Sequence, residues 1–280
     1  MPARLGPYRL DRRIALGGTA EIWLAEPHQA EAGSARVVVK RMLPELRVHP
    51  EALALFEAEA RLLARCQHRH VSAVHAHGHD GDDHWIAMEH VDGIDLAELG
   101  RGPLGPALLA MLDLLAALEH VHASGVVHCD VNPHNVLVRA RGEAVLIDFG
   151  VACEIGGPGV RPARGTWAYM SPEQVQGEPM DGRSDLFACG AVLWELASGR
   201  RLFRRDQLWL TMAAVVEQEV PPLDDPELDA ICRAALVKDP ARRIASAAAL
   251  AGALAELAGR RGLELDRSAL AGAARRVAPG

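Results

Sequence analysis

The stretch VVHCDVNPHNVLV, residues 126–138, sets two short apolar runs around a loop that holds His128, Asp130, Asn132, His134 and Asn135. Buried runs ordinarily turn through Gly, Pro or Ser. An acid and two carboxamides in so small a space admit two readings. One is a capped bend, in which short polar side chains satisfy backbone amides. The other is a site that takes a proton on its acid and holds a metal-bound ligand through oxygen, the donor that hard cations prefer. A second acid, Asp148, follows the next apolar run in Asp148-Phe149-Gly150. One cation also stands out, because of 30 basic residues only Lys40 and Lys238 are Lys. In a chain so biased to Arg, Lys40 is expected to serve for its compact, point-like ammonium.

These residues need elements to position them. Residues 8–40 alternate in the manner of strands, with a Gly-containing turn at ALGGTAE and the β-branched run Val37-Val38-Val39 leading into Lys40. Residues 51–66, EALALFEAEARLLARC, place apolar positions at helical spacing among good helix formers. HVSAVHAHGH and HWIAMEHV read as a strand pair around the acidic turn DGDD. From Pro106 a long apolar helix is expected to run to Gly125. The 126–138 stretch and EAVLIDFG follow as short strands, then a Gly- and Pro-rich loop over 156–165, then helices over most of 171–260.

Composition narrows the classes. A hydrophobic content of 49% supports a real core. Net charge of −7 argues against a nucleic-acid binder held by a basic face. The five Cys never fall as C-x-x-C, so neither a disulfide framework nor a structural zinc site is expected, and a cytoplasmic, reducing setting is the default. No apolar run is expected to span a bilayer, and MPARLGPYRL lacks the apolar core of a secretory signal.

HCDVNPHN, then DFG after a short strand, then GTWAYMSPE, resemble the catalytic, metal-binding and activation segments of a eukaryotic-type protein kinase, most like the bacterial serine/threonine kinases. VVVK resembles that family's strand-borne Lys, and ALGGTAEI a degraded form of its Gly-rich loop. The resemblance implies an α+β, bilobal protein-kinase-like fold. Its N-lobe, a small antiparallel sheet with one main helix, would occupy residues 8–88, with a hinge over 89–93. A larger, mainly helical C-lobe would occupy 94–258, leaving a helical tail over 259–280. The implied activity is transfer of the γ-phosphate of ATP to Ser or Thr hydroxyls of proteins, with ATP and Mg²⁺ bound in the cleft between lobes. Such transfer demands positioning and charge neutralisation more than covalent chemistry.

The family's roles carry over residue by residue. Asp130 would accept or orient the proton of the attacking hydroxyl. Asp148 and Asn135 would ligate Mg²⁺. Lys40 would hold the α- and β-phosphates, steadied by Glu59 rather than Glu57. Ile14 and Ile22 would roof the adenine beside Val38, Leu137 and Ile147, with Gly17 and Gly18 in the phosphate loop. Met88 would be the gatekeeper, Glu89 to Val91 would offer backbone hydrogen bonds, and Asp95 would contact ribose. Glu173 would pair with Arg243, and Asp185 would brace the catalytic loop through its backbone amides.

Three departures bear on rate and regulation. The glycines expected at positions 15 and 20 are Ala15 and Ala20, whose Cβ atoms narrow the approach of backbone N–H groups to phosphate. Asn132 stands where such kinases carry a Lys at the transferring phosphate, offering a hydrogen bond without charge. Cys129 replaces the Arg that receives a phosphorylated activation loop, and residues 151–165 contain no Ser, Thr or Tyr. Control by phosphorylation of that loop is therefore not expected. Thr166 reads as a structural hydroxyl near Asp130, with autophosphorylation as its alternative. Two rival functions stay open: a nucleotide-binding pseudokinase or scaffold, and a small-molecule phosphotransferase, against which GTWAYMSPE argues. A protein substrate is implied, together with a regulatory protein partner or a homodimer, and no membrane span. His75, His77 and His79 alternate onto one strand face and read as solvated rather than metal-binding. The tail RRGLELDRSALAGAARRVAPG reads as a packed or solvated helix rather than a membrane-docking one.

Overall fold

A computed structural model describes residues 4–28, 36–100, 102–157 and 167–277, the last without its side chain. The chain divides into two units, Met1–His68 with Ser72–Val91, and Arg69–Val71 with Asp92–Gly280. The first unit is built on β1 (Arg4–Leu5), β2 (Tyr8–Leu16), β3 (Ala20–Pro27), β4 (Val37–Met42), α1 (Pro50–Arg65), β5 (Val74–Asp80) and β6 (Asp83–Glu89). Its strands form one sheet in the order β1-β2-β3-β4-β6-β5, antiparallel throughout. Tyr8, Leu10, Ala25, Val37, Val39 and Trp85 close an apolar cluster on one face. In α1, Pro50 fills the first turn, where a missing N–H costs nothing. Phe56, Glu59, Ala60 and Leu63 recur at helical spacing along its buried side.

The second unit begins with β7 (Gly93–Asp95), α2 (Leu96–Leu99), α3 (Leu104–Ala123), β8 (Val126–Val127), β9 (Val136–Arg139), β10 (Ala144–Leu146) and β11 (Cys153–Glu154). It continues through α4 (Pro172–Gln176), α5 (Gly182–Ser198), α6 (Leu208–Glu217), α7 (Pro226–Ala235), α8 (Ala247–Arg260) and α9 (Arg267–Val277). Two small sheets, β10-β9-β7 and β11-β8, hold the loops that carry Asp130 and Asp148. Residues 69–71 join this unit: Leu146 N donates to His70 O at 2.8 Å, and the His70 ring bonds Ala144 O at 2.8 Å.

One expectation needs correction. By length and composition α3 is apolar enough to cross a bilayer, with a mean hydropathy of 1.5. Most of it is buried inside the unit, where Leu108, Met111, Leu114, Leu115 and Leu118 form the core. A helix buried over most of its length carries apolar residues on more than one face, unlike a surface helix with a single apolar stripe.

The 259–280 region divides at Gly262. α8 ends at Arg260, and α9 returns to pack on α3. Arg267 grips Asp113 with both terminal nitrogens at 2.7 Å and also donates to Gly142 O at 3.0 Å. Gly142 sits at φ 82, and a Cβ there would stand 2.2 Å from Arg267 O, so only glycine permits this approach. Arg275 adds a bond to Ala140 O at 3.0 Å. Arg267 and Arg275 thus tie this helix to the body of the second unit.

Candidate active site

In the first unit Lys40 lies on β4, opposite Ile22 and Ile86 on its neighbours. Its ammonium donates to Glu59 Oε1 at 2.6 Å, and both side chains are only 7% exposed. Glu57, the other candidate, is half-exposed and turns to Arg61 at 3.7 Å. Val38 pairs across strands with Leu24 and Met88. The Gly17–Gly18 turn between β2 and β3 is closed by Gly17 N donating to Ala20 O at 2.9 Å. Leu43 N donates to Thr19 O at 3.0 Å, tying the same turn to the end of β4. Ile14 is exposed, and Ile22 is half-buried. At the end of β6 Met88 is buried, and Glu89 N already donates to Ala73 O at 2.8 Å. Ser72 Oγ approaches Glu89 O at 3.4 Å, and Val91 is buried.

The second unit gathers Asp130, Asn132 and Asn135, and Ile147, next to Asp148 in the chain, donates its N–H to Asn135 O at 2.9 Å. Asn135 Nδ2 donates to Asp130 Oδ2 at 2.8 Å and to Asp130 O at 2.9 Å. Its carbonyl oxygen is therefore the end that suits a cation. Asn132 turns its carboxamide back onto the loop. Its Nδ2 turns to Asp130 O at 3.0 Å and Oδ1 at 3.2 Å, while its Oδ1 accepts from His134 N at 2.9 Å. Only 1% exposed, it is a positioning residue that fixes the carboxylate from one side as Asn135 does from the other. A carboxamide is too short to leave the loop as a Lys would. Asn132 caps the bend that carries Asp130 by accepting from His134 N.

Below this loop Asp185 is almost fully buried and accepts from His128 N at 2.9 Å, Cys129 N at 2.9 Å and His122 Nε2 at 2.7 Å. Burial alone would push its carboxyl up, but these donors outweigh that and hold it below the ordinary carboxylate range. They also support Cys129 at φ 66, a left-handed conformation uncommon for a side chain with a Cβ. Asp148 is the second such residue, at φ 61, with its Oδ1 accepting from Gly150 N at 3.1 Å. His128 Nδ1 accepts from Asp130 N at 3.3 Å, so its Nε2–H donates to Ile147 O at 3.2 Å. Its ring meets Phe149 edge-on at 4.6 Å, and burial depresses its pKa and keeps it neutral.

Asp95 has two commitments: Oδ1 caps α2 by accepting from Glu98 N at 2.9 Å, and Oδ2 meets His134 Nδ1 at 2.8 Å. Leu137 on β9 pairs with Asp95 and Val145. Glu173 and Arg243 form the expected pair, bidentate at 2.7 and 2.9 Å and buried on both sides. Burial raises the Glu173 carboxyl, but Arg243 overrides it and holds the group below its usual range. Tyr169 gives its hydroxyl to Glu195 at 2.8 Å and is buried, so it is spent on structure. Thr166 lies outside the described residues. Among the described residues no three or more His, Cys, Asp or Glu side chains converge to hold a metal, and His75, His77 and His79 sit on the exposed face of β5.

Three contacts were invisible to sequence reasoning: the His122–Asp185 bond, the 2.6 Å bond from Gln174 Nε2 to Cys129 O, and the approach of Cys129 to Cys153. The helical run ending in His122 was legible, but nothing in it signals a partner 63 residues away.

The protein kinase domain model matches residues 8–253. A probable serine/threonine-protein kinase of Streptomyces coelicolor is 38% identical over 88% of this chain and 39% of its own length. The tyrosine-protein kinase MasK of Myxococcus xanthus is 32% identical over 89% of this chain and 42% of its own. The chain thus spans about two fifths of the length of these relatives. The crystal structure of the PknI kinase domain of Mycobacterium tuberculosis superposes with a TM-score of 0.71 at 27% identity, covering 92% of this chain and 98% of that one.

Proposed function

The chain belongs to the protein kinase family, and from that premise we propose that it transfers the γ-phosphate of ATP to Ser and Thr hydroxyls of proteins in the cytoplasm. The observation that carries the reading is the Asp130 carboxylate held on both sides by Asn132 and Asn135. A group so oriented is prepared to accept the proton of an attacking hydroxyl. Lys40, steadied by Glu59, takes the α- and β-phosphates as a fixed point charge. Gly17 and Gly18 would serve the phosphates, and Ile14, Ile22, Val38 and Met88 of the first unit would offer apolar surface to the base, as would Leu137 of the second. The N–H of Glu89 being occupied by Ala73, the base takes its hydrogen bonds from the carbonyl of Glu89 and the backbone of Val91. Asp95 meets ribose only by giving up His134.

The donor chemistry of Asn135 and Asp148 fits Mg²⁺, since a carbonyl and a carboxylate oxygen are ligands for a hard cation. When bound, the metal supplies charge neutralisation to the phosphates. The chain's own residues orient the acceptor and take its proton. Control does not run through phosphorylation of residues 151–165, which offer no hydroxyl. The Ser/Thr preference follows the Streptomyces relative, while the name of MasK makes Tyr the alternative acceptor.

The test is transfer of labelled phosphate from Mg·ATP to the chain and to a mixed protein substrate, followed by phosphoamino-acid analysis. Label as phospho-Ser or phospho-Thr is expected in wild type. Asp130→Asn should lower the rate by roughly 10²–10⁴-fold, the usual share of a general base, and Lys40→Met should act in the same direction. A second reading, a nucleotide-binding pseudokinase, draws on Ala15, Ala20 and Asn132. It gains if no lane is labelled while Mg·ATP still raises the melting temperature.

A further inference from the structure

We propose that Cys129 and Cys153 are a modification site: a thiol pair that hydrogen peroxide closes to a disulfide at the root of the catalytic loop. Their sulfurs stand 3.4 Å apart and both are reduced. Reaching a disulfide length of about 2.05 Å asks for a closure of roughly 1.4 Å. The backbone already holds the two segments together, since β8 and β11 pair antiparallel with Cys153 opposite Val127. Cys129 lies two residues beyond Val127, and its Sγ also approaches Val127 O at 3.4 Å. Val127, Cys129, Cys153 and Met180 form one buried cluster, with Val151 against it.

The other thiols are unsuited. Burial pushes Cys66 up to about 11 and raises Cys189 and Cys232 as well. Cys153 moves the opposite way, because the hydrogen shared with Cys129 favours its thiolate, and the same hydrogen raises Cys129. Cys153 is also the more accessible of the two, at 9% against 4%. Cys153 is therefore the attacking sulfur and Cys129 the resolving one.

The steps balance. The Cys153 thiolate attacks one peroxide oxygen, an S–O bond forms, and the O–O bond breaks. The departing hydroxide takes up the proton lost by Cys153 and leaves as water. Cys129 then attacks the sulfenic sulfur, the S–S bond forms, and the S–O bond breaks. The hydroxyl leaves with the Cys129 proton as a second water. Two electrons pass from the sulfurs to the peroxide.

Closure acts on residues already under constraint. Cys129, at φ 66, is held by Asp185 at its N–H and Gln174 at its carbonyl, and it directly precedes Asp130. Drawing its side chain toward Cys153 loads those two bonds and turns the Asp130 carboxylate. This consequence rests on the kinase reading; the oxidation chemistry does not.

The full chain is treated with hydrogen peroxide, alkylated after denaturation, digested and read by mass spectrometry. Expected is one cross-linked peptide pair joining Cys129 and Cys153, lighter by two hydrogens and reversed by dithiothreitol. Cys66, Cys189 and Cys232 should remain alkylable. In Cys129→Ser the reaction should stop at a sulfenic acid on Cys153 that dimedone traps, and Cys153→Ser should give no cross-link. Full alkylation of wild type, or oxidation of Cys153 past sulfenic acid with Cys129 untouched, overturns the proposal. In parallel, phosphate transfer by oxidised wild type should fall about tenfold, ~1.4 kcal/mol in barrier, and return with dithiothreitol. Cys153→Ser should keep its rate in peroxide. A cross-link without transfer even in reduced protein sinks the kinase reading and leaves the thiol site standing. A cross-link with unchanged transfer overturns its regulatory effect.

Discussion

Asn132 shows how a single residue changes meaning once its hydrogen bonds are known. By position it replaces a cation, and by geometry it is a bracket for the acid two residues before it. Removing the bracket should cost rate while leaving nucleotide affinity alone. Asn132→Ala is expected to lower kcat about tenfold, ~1.4 kcal/mol, with KM for ATP unchanged. A rise in KM with kcat intact would instead place Asn132 at the nucleotide. Asn135 makes the companion contact with Asp130, so the carboxylate keeps one support in this variant.

Among the elements, α9 makes the least expected contribution, because it lies past residue 253, where the kinase domain match ends. Its Arg267 meets Asp113 in the middle of α3, whose carboxylate also accepts from Ala144 N at 3.0 Å and lies 3.4 Å from His70 Nε2. Asp113 thus ties the core helix to β10, at the far end of the hairpin that leads out of the catalytic loop. Arg267→Ala leaves this buried acid short of its bidentate partner. Because Arg267 is 36% exposed, the loss should be well under that of a fully buried pair. A destabilisation of about 1–2 kcal/mol is expected, lowering Tm by roughly 2–8 °C. Arg267→Lys should recover only part of it, since an ammonium cannot form the two-pronged contact. An unchanged Tm in the alanine variant would show that α9 is held by packing alone.

For the molecule as a whole, buried charges set both ends of the pH–stability profile. Asp185 and Glu173 have folded-state pKa values below their ordinary ones. Their stabilisation is complete above the unfolded carboxylate range of about 4 and is lost as pH falls through the folded values. Lys238 gives a slope of the same sign at the alkaline end, there because burial penalises its charged form. Burial lowers its pKa from 10.5 to about 8, although its ammonium faces the stacked rings of Phe203 and Phe187 at 4.4 and 5.2 Å. Between about 8 and 10.5 the unfolded chain binds this proton and the folded chain does not, so the Lys238 contribution makes stability rise with pH there. Denaturant titrations across pH should show that slope in wild type and not in Lys238→Met. A slope retained in the variant would assign the effect elsewhere.

The order of the motifs, the helical face that carries Glu59, the pairing of Glu173 with Arg243 and the bracing role of Asp185 were all legible in the residues. Each depends on local periodicity or on a spacing that the family resemblance supplies. Strand alternation and helix patterning made the elements legible, and the resemblance of HCDVNPHN, DFG and GTWAYMSPE to the kinase family supplied the fold that joins them. The direction of Asn132, the double commitment of Asp95, the burial of α3, the contact of Cys129 with Cys153 and the clasp of Arg267 on Asp113 were not. A side chain's orientation is settled by whichever partner the fold brings within about 3 Å, and Arg267 finds its partner 154 residues away. The sequence therefore determined which chemical groups are present and in what order along the chain. Only the tertiary structure decided which of them are spent on one another, because hydrogen-bond energy falls away within a distance that sequence spacing does not encode.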